Sequence, residues 1–579
     1  MNKATFRRLL GVLKPYGFYI FLAILSALIG VSLSLLGPIL IGDTVDLIIG
    51  QGQVDFPAVA RILIFYGITL LVSTAFQWLT SVFTSVIVQN TTRDLSRAAI
   101  AKLNAVPLRY IDTNAHGDII SRVVNDISQV GDGLTQGLTQ LFTGIITILG
   151  TLGFMLSVNI VITVIVVLVT PLSIFVASFI VKRTNKYFSM QSEIQGRLSA
   201  HINETINNQK VIKAFTYEQR AEEKFCAIDA DLHASGIKAQ FNSSLANPST
   251  RFVNGLVYAS VGIFGSICAI RGLISIGQVS SFLSYANQYT KPFNEVSGVI
   301  GQIQTAFASA NRVFELLDEP EEVSDGRKVI DPSQFSGSLA MEHVAFSYTP
   351  ERKLIENLNL QVKPGDKIAI VGPTGCGKTT LINLLMRFYD VDEGAIFLDG
   401  TDIREFSRNS LRGQYGMVLQ ETWVATGTIR ENIAYGKPDA TMEEVVAAAK
   451  AARAHGFITR MKDGYDTIIS DRTGSLSQGQ RQLLSIARVM LVDPPMLILD
   501  EATSNIDTRT ELYIQEAFNK MMQGRTSFIV AHRLSTILEA DNILVMNQGH
   551  ILEQGRHEEL LAKGGFYAQL YQSQFAKSK

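Results

Sequence analysis

Between Tyr16 and Gly42 the chain carries no charged residue, a run of 27 positions where about 20 suffice to cross a bilayer as a helix. Lys3, Arg7, Arg8 and Lys14 precede it, as basic residues precede the apolar core of a secretory signal, but such a core typically spans only about 7–15 residues. This run is too long, and others follow. Ile62 to Thr92 is a second uncharged stretch. Gly133 to Val181 is a third, long enough for two crossings, with Ser157-Val158-Asn159 as the polar turn of a tight hairpin. Arg251 to Arg271 and Arg271 to Lys291 bound a fifth and a sixth, joined through Arg271 to Gly277. Six spans return the chain to its starting side of the membrane.

The placement of Lys and Arg sets orientation. Arg93, Arg97, Lys102, Arg109 and Arg122 lie between spans two and three, and Lys182, Arg183, Lys186, Arg197, Lys210, Lys213, Arg220, Lys224 and Lys238 between spans four and five. The opposite connections hold Asp43, Asp46 and Asp55, or Arg271 alone. Both termini are therefore expected in the cytoplasm, with the chain a multi-pass protein of the cytoplasmic membrane. The two inner connections run for about 40 and about 70 residues with repeating apolar positions such as Leu95, Ala98, Ile100 and Leu103, so the spans should continue as helices into the cytoplasm. Thr113 to Ser128 and Ala214 to Phe225 are the expected tips. No carboxylate or histidine interrupts the spans, which argues against an ion relay and for an amphipathic or hydrophobic small-molecule cargo.

Hydrophobic residues make up 47% of the chain and charged ones 18%, yet nearly all the long uncharged runs lie before residue 300. Beyond Leu316 the character changes. Asp318 to Glu322 and Ser324-Asp325-Gly326 read as a linker, and strand-like alternation begins at Ser338. The expected division is a six-helix transmembrane domain over 1–316, a linker over 317–337 and a soluble α/β domain over 338–579. Net charge is −1, so no global basic field points to nucleic acid. Cys226, Cys268 and Cys376 are scattered and form neither a disulfide framework nor a metal-ligand spacing.

Lys367 to Val371 is a short apolar strand that leads into Gly372-Pro373-Thr374-Gly375-Cys376-Gly377-Lys378-Thr379, followed by a helix from Thr379 through Thr380 to Phe388. Strand, glycine-rich loop and helix together are the context a phosphate-binding loop requires. The glycines let backbone N–H groups turn toward the phosphates, Lys378 adds a point charge and the Thr379 hydroxyl can ligate Mg²⁺. ATP and Mg²⁺ are the expected ligands. Cys376 lies inside the loop, at a position where alkylation could block the ATPase. Met496 to Leu499 is a second apolar strand, ending in Asp500 and Glu501; the first suits Mg²⁺, the second the activation of an attacking water.

Between these elements stands Leu476-Ser477-Gln478-Gly479-Gln480, which resembles the signature of ABC-transporter ATPases. The resemblance extends over essentially the whole chain and points to an exporter-type half-transporter: an all-α polytopic membrane domain fused to an α/β P-loop ATPase. It implies further roles. Tyr348 is similar to the aromatic that stacks on adenine, and Gln420 to the glutamine that touches Mg²⁺ and the attacking water. His532 resembles the switch histidine at the γ-phosphate, while Ser504 and Asp507 belong to a loop similar to the one that communicates with the opposite subunit. Ser477, Gly479 and Gln480 would meet the ATP of a partner. Gly117 to Asp126 resembles the first coupling helix, with Asp118, Arg122 and Asp126, and Tyr217 and Glu218 fall at the second.

Two departures stand out. Gln478 replaces the usual first glycine of the signature, and Ser470-Asp471-Arg472-Thr473-Gly474 departs from the common Gly-Glu-Arg-Gly, which bears on contact with the coupling helices. With Gln478, Asn383 to Asp390 and Gln480 to Leu484 resemble the catalytically complete subunit of heterodimeric bacterial multidrug exporters. The expectation is ATP-driven export by alternating access as one half of a dimer, with a non-identical partner. A homodimeric lipid flippase and an ATP-gated channel or regulator are the alternatives. An exporter carrying its own peptidase is not expected, because spans begin near residue 17.

Overall fold

The computed structural model describes residues 3–48, 54–323, 325–349, 353–419, 422–470, 476–500, 506–531 and 534–574. The chain divides into two compact units. One holds residues 1–105 and 114–319, and the other residues 106–113 and 320–579.

The first unit is helical throughout. A short amphipathic helix α1 (Lys3–Leu13) precedes α2 (Gly17–Asp46) and α3 (Phe56–Leu103). The chain then passes through α4 (Leu108–Thr113), which belongs to the second unit, and returns at α5 (His116–Ser121). A π-helical turn at Arg122–Asp126 leads to α6 (Ile127–Thr139), a second at Gln140–Gly144 to α7 (Ile145–Val158). After α8 (Ile160–Asn207) come α9 (Gln209–Ala214), α10 (Glu218–Ser244), α11 (Ala246–Ile270) and α12 (Ile276–Asp318). Among the described residues, four helical stretches are long and apolar enough to cross a membrane: Lys3–Asp46, Phe56–Leu103, His116–Val158 and Arg251–Ile270. The fourth expected span starts as the apolar segment Ile160–Pro171 of α8, and the sixth runs into the N-terminal part of α12. At 48 residues, α3 and α8 would each extend about 70 Å, more than twice the roughly 30 Å of a hydrocarbon core.

Small residues set the helix crossings, as expected where lipid removes the hydrophobic drive between helices. A Cβ on Gly42 would lie 2.3 Å from Ser281 Oγ and 2.6 Å from the Gly277 carbonyl oxygen. Around Pro38, which interrupts the ladder of α2, the carbonyl of Leu35 accepts from Tyr285 Oη at 2.6 Å and that of Pro38 from Ser281 Oγ at 2.7 Å. Hydroxyls of α12 thus hydrogen-bond backbone oxygens of α2 next to the proline. At the end of this seam the Asp46 carboxylate accepts from the Gly277 N–H at 2.7 Å and from Ser275 Oγ.

The second unit contains a six-stranded sheet of order β12-β11-β3-β10-β9-β6 and a four-stranded antiparallel sheet of order β2-β1-β4-β5. The strands are β1 (Leu339–Phe346), β2 (Ile355–Val362), β3 (Lys367–Val371), β4 (Glu393–Leu398), β5 (Thr401–Asp402) and β6 (Tyr415–Val418). They continue with the small pair β7 (Gly427–Thr428) and β8 (Ile468–Ile469), then β9 (Met496–Asp500), β10 (Thr526–Val530), β11 (Asn542–Asn547) and β12 (His550–Gly555). Three helices matter for the site: α13 (Lys378–Leu385), α14 (Gln478–Val492) and α15 (Thr508–Met522). The stretch expected as a linker over 317–337 has structure at both ends. α12 runs to Asp318, while Arg408, 7% exposed, binds Asp325 at 3.0 Å, Glu322 at 3.4 Å and the Val323 carbonyl at 2.8 Å within the second unit. Ile330 is buried in its core. A buried guanidinium needs several partners, and this acidic stretch supplies them.

Gly42→Val should cost roughly 1–3 kcal/mol or more, the range for overpacking, and lower the thermal unfolding midpoint of the full-length protein. Gly67→Ala, with open space beside it, should leave that midpoint within a degree or two.

Candidate functional site

Parallel pairing of three strands brings the acidic strand and the glycine-rich loop to one sheet edge. In β10, Val530 lies beside Ile370 on one side and Asp500 on the other. Asp500 and the last turn of β3 are therefore two strand spacings apart, about 10 Å. Gly375 (φ +82°) and Gly377 (φ +105°) occupy the left-handed region, and Gly377 caps α13. At Gly372 a Cβ would lie 2.2 Å from the Met546 carbonyl oxygen and 2.7 Å from Cys376 Sγ. Only glycine lets the loop turn there. Pro373, Thr374, Gly375 and Thr379 face solvent, whereas Thr380 is buried. Lys378 Nζ donates to the carbonyls of Gly372 at 2.9 Å and Pro373 at 3.1 Å, so the ammonium arches over the loop's own backbone.

This cradle fits a nucleotide phosphate. N–H groups at a helix start and a lysine held by exchangeable carbonyls supply an anion site, and the exposed Thr379 hydroxyl with the half-buried Asp500 carboxylate suits Mg²⁺. Cys376 is 2% exposed. Burial raises its thiol pKa above the usual value, with nearby Lys378 opposing.

Tyr348 stands beside the loop. Its ring meets Phe346 edge-on at 4.9 Å and Tyr389 at 5.1 Å, and its hydroxyl donates to Thr380 Oγ1 at 3.3 Å and accepts from Asn383 Nδ2 at 3.1 Å. The residues of α4 reach the same aromatic pair. Arg109 Nη2 donates to the Tyr348 carbonyl at 2.8 Å, and the Tyr389 hydroxyl donates to Asp112. Burial, reinforced by Asp112, raises the Tyr389 pKa, which keeps this phenol a proton donor. Sequence reasoning missed Arg109, Asp112 and Asn383 as site residues. Tyr389 lay within a noted stretch, but no local signal pairs it with a residue 277 positions away.

The signature begins α14. Ser477 and Gln480 form a reciprocal cap: Ser477 Oγ accepts from the Gln480 N–H at 3.2 Å and Gln480 Oε1 from the Ser477 N–H at 3.0 Å. Ser477 is exposed and Gln478 half-buried. A Cβ on Gly479 would meet Thr510 Cγ2 at 2.5 Å and Ile506 Cγ2 at 3.0 Å, so packing against α15 also demands this glycine. Asp507 caps α15 by accepting from the Thr510 N–H at 2.9 Å, and this bond lowers its pKa. Gln420, Glu501, Ser504, His532 and residues 471–474 of the stretch starting at Ser470 lie outside the described residues.

The residues expected at the first coupling helix sit in the helical unit. Asp118 pairs with Arg122 at 2.9 Å and with Arg312, while the buried Asp126 accepts from Ser309 Oγ at 2.8 Å and faces Arg312 at 3.3 Å. These bonds fasten residues 118–126 to α12. In the same turn-rich region it is α4, several residues earlier, that packs with the ATPase unit. Tyr217, 48% exposed, precedes α10 with Arg220 over its ring at 5.7 Å, and Glu218 opens that helix.

Comparison with known proteins agrees with this division. Residues 20–293 match the family described as "ABC transporter transmembrane region" and residues 355–504 the family described as "ABC transporter". The chain is 42% identical over 521 residues, 90% of its length and 82% of the relative's, to the "Fatty acid ABC transporter ATP-binding/permease protein" of Mycobacterium bovis. It is 33% identical to the "ATP-dependent lipid A-core flippase" of Syntrophus aciditrophicus, over 99% of this chain and 95% of that one. Among solved structures, that of a bacterial Atm1-family ABC exporter with ATP bound superposes with a TM-score of 0.80 at 29% identity, covering 100% of both chains.

Lys378→Met should lower ATP hydrolysis roughly 10²-fold or more, the cost of losing one preorganised charge at a reacting phosphate, as read by phosphate release. N-ethylmaleimide should label exposed Cys226 well before Cys376 at pH 7.5. Labelling of Cys376 should rise as pH passes its raised pKa, because the thiolate is the nucleophile; peptide mass spectrometry follows both.

Proposed function

Because the chain belongs to the ABC transporter family, with a transmembrane region and its ATPase on one polypeptide, we propose that it exports amphipathic, lipid-like small molecules from the cytoplasmic side by alternating access. It is an ATP-hydrolysing half-transporter, and such halves act as dimers in a lipid bilayer. The observation that carries the cargo reading is that the spans contain no carboxylate, histidine, lysine or arginine. The names of the relatives support it: one is a fatty-acid transporter and one a lipid flippase. Efflux of other hydrophobic compounds, as in multidrug export, is part of the same reading.

In the proposed cycle Lys378 exchanges the carbonyls of Gly372 and Pro373 for phosphate oxygens. Thr379, Asp500 and Gln420 would hold Mg²⁺, which would supply positive charge against the phosphates during phosphoryl transfer. Glu501 activates water, and His532 contacts the γ-phosphate. Ser477, Gly479 and Gln480 serve ATP bound on the partner, with Ser504 and Asp507 passing the state of one site to the other. Tyr348 turns from Thr380 and Asn383 to face adenine. Arg109 and Asp112 hold Tyr348 and its neighbour Tyr389, so that turn reaches α4 and the helices on either side of it in the chain. Asp118, Arg122 and Asp126 keep the following segment fixed to α12, and Tyr217 and Glu218 present the second cytoplasmic tip to the ATPase of the partner. ATP drives the switch by binding the closed dimer more tightly than the open one.

The partner is proposed to be a non-identical chain, on the strength of Gln478 in the signature. Glu501→Gln should bind ATP and hold the closed dimer with hydrolysis reduced roughly 10²-fold or more; substantial turnover at that site would remove Glu501 as the base. Purified alone, this chain should show low ATPase activity that rises when it is co-expressed with a second, non-identical half-transporter from the same organism. Full, lipid-stimulated activity of the lone chain would instead establish a homodimer.

A further inference from the structure

Under α1, where it meets α6 and α12, lies an apolar cavity of about 240 Å³. Phe6, Leu10, Leu138, Leu141, Ile303 and Phe307 line it, and every other lining residue is apolar as well. It opens to the surface, since Leu10 and Leu141 remain 50% and 55% exposed. A cavity without polar groups offers water no partner and accepts apolar ligands.

Two glycines one turn apart create the space. A Cβ on Gly133 would lie 2.2 Å from Ala306 Cβ, so this residue sets the contact of α6 with α12. A Cβ on Gly137 would approach only Ile303, at 3.8 Å, and the volume it leaves becomes part of the cavity. Meanwhile α1 is strapped down as a roof. Thr5 Oγ1 donates to Asn311 Oδ1 at 3.1 Å, Arg8 pairs with Asp318 and stacks over Phe314 at 4.5 Å, and Phe6 meets Phe307 at 6.0 Å. Arg8 is thereby occupied. Lys3, Arg7 and Lys14 point to solvent, and no ion pair among the described residues involves them. An amphipathic helix with basic residues on its outer face lies in the plane of a membrane interface, and juxtamembrane cations attract anionic lipids.

We infer that this cavity holds one acyl chain of an anionic phospholipid from the cytoplasmic leaflet, with its phosphate held by Arg7 and Lys14. The site is separate from cargo transport and binds a resident lipid that fixes α1 to α6 and α12.

The test uses the full-length protein in nanodiscs doped with phosphatidylglycerol carrying a diazirine in one acyl chain. Phosphatidylcholine with the same chain, and diazirine-labelled palmitic acid, form the comparison arms. Peptide mapping after illumination should place the label on residues 6–13, 133–141 and 303–307, with phosphatidylglycerol exceeding phosphatidylcholine by roughly threefold or more, as two juxtamembrane cations imply. Gly137→Leu should fill the cavity and abolish that labelling, while Gly137→Ala, which fits without contact closer than 3.8 Å, keeps it. Arg7→Ala with Lys14→Ala should bring phosphatidylglycerol down to the phosphatidylcholine level. Equal labelling by both phospholipids, insensitivity to Gly137→Leu, or displacement of phosphatidylglycerol by palmitic acid would overturn the proposal. None of these outcomes bears on whether the protein exports lipid-like cargo.

Discussion

The ATPase unit depends on one parallel register, in which Val530 of β10 is paired with Ile370 of β3 and Asp500 of β9. Slide either neighbour by one residue and the side-chain order of that strand inverts, carrying Asp500 away from the edge where the loop at Gly372 begins. All three strands are buried on both faces, as parallel strands flanked by helices are. Continuous apolar runs such as Met496 to Leu499 and Phe528 to Val530 therefore hold the register, and the acid is placed at the first position where the strand leaves the core. Chemistry at this edge is a consequence of packing behind it.

The helical unit answers to a different solvent. Lipid gives no reward for bringing apolar faces together, so close backbone approach and hydrogen bonds between helices have to do it. Gly42 against Gly277, Gly133 against Ala306, and the hydroxyls of Ser281 and Tyr285 on carbonyls around Pro38 are the contacts that result. Farther along, α12 carries charge: Arg312 and Glu315 meet Asp118, Asp126 and Arg122. One helix thus serves two solvents, and the change from small and hydroxylated partners to ion pairs marks the passage from one to the other.

Much of this was readable in the sequence because the signals are local. Uncharged runs marked the helices, and a strand followed by glycines, lysine and threonine marked the phosphate loop. What stayed hidden involves pairs distant in the chain. Asp118 and Asp126, in the segment that resembles a coupling helix, pair with Arg312 of α12, and no local signal shows that Leu108–Thr113 would group with the ATPase unit. Tyr389 with Asp112 and Arg109 with Tyr348 have no periodicity to betray them. Within the stretch read as a linker, nothing local shows that Arg408 would pair with Glu322 and Asp325. Gln480 was read as a nucleotide contact and in this chain also caps its own helix, a double use that spacing alone does not reveal.

The central claim is that hydrolysis at this edge moves a lipid-like molecule across the bilayer. It is tested most directly by reconstituting the full-length protein as its active dimer in proteoliposomes and following a fluorescent acyl amphiphile between leaflets by dithionite quenching. The account predicts one-way, ATP-dependent transfer that stops when ATP is replaced by a non-hydrolysable analogue. ATP hydrolysis with no transfer, or an ATP-gated ion conductance in its place, would contradict it.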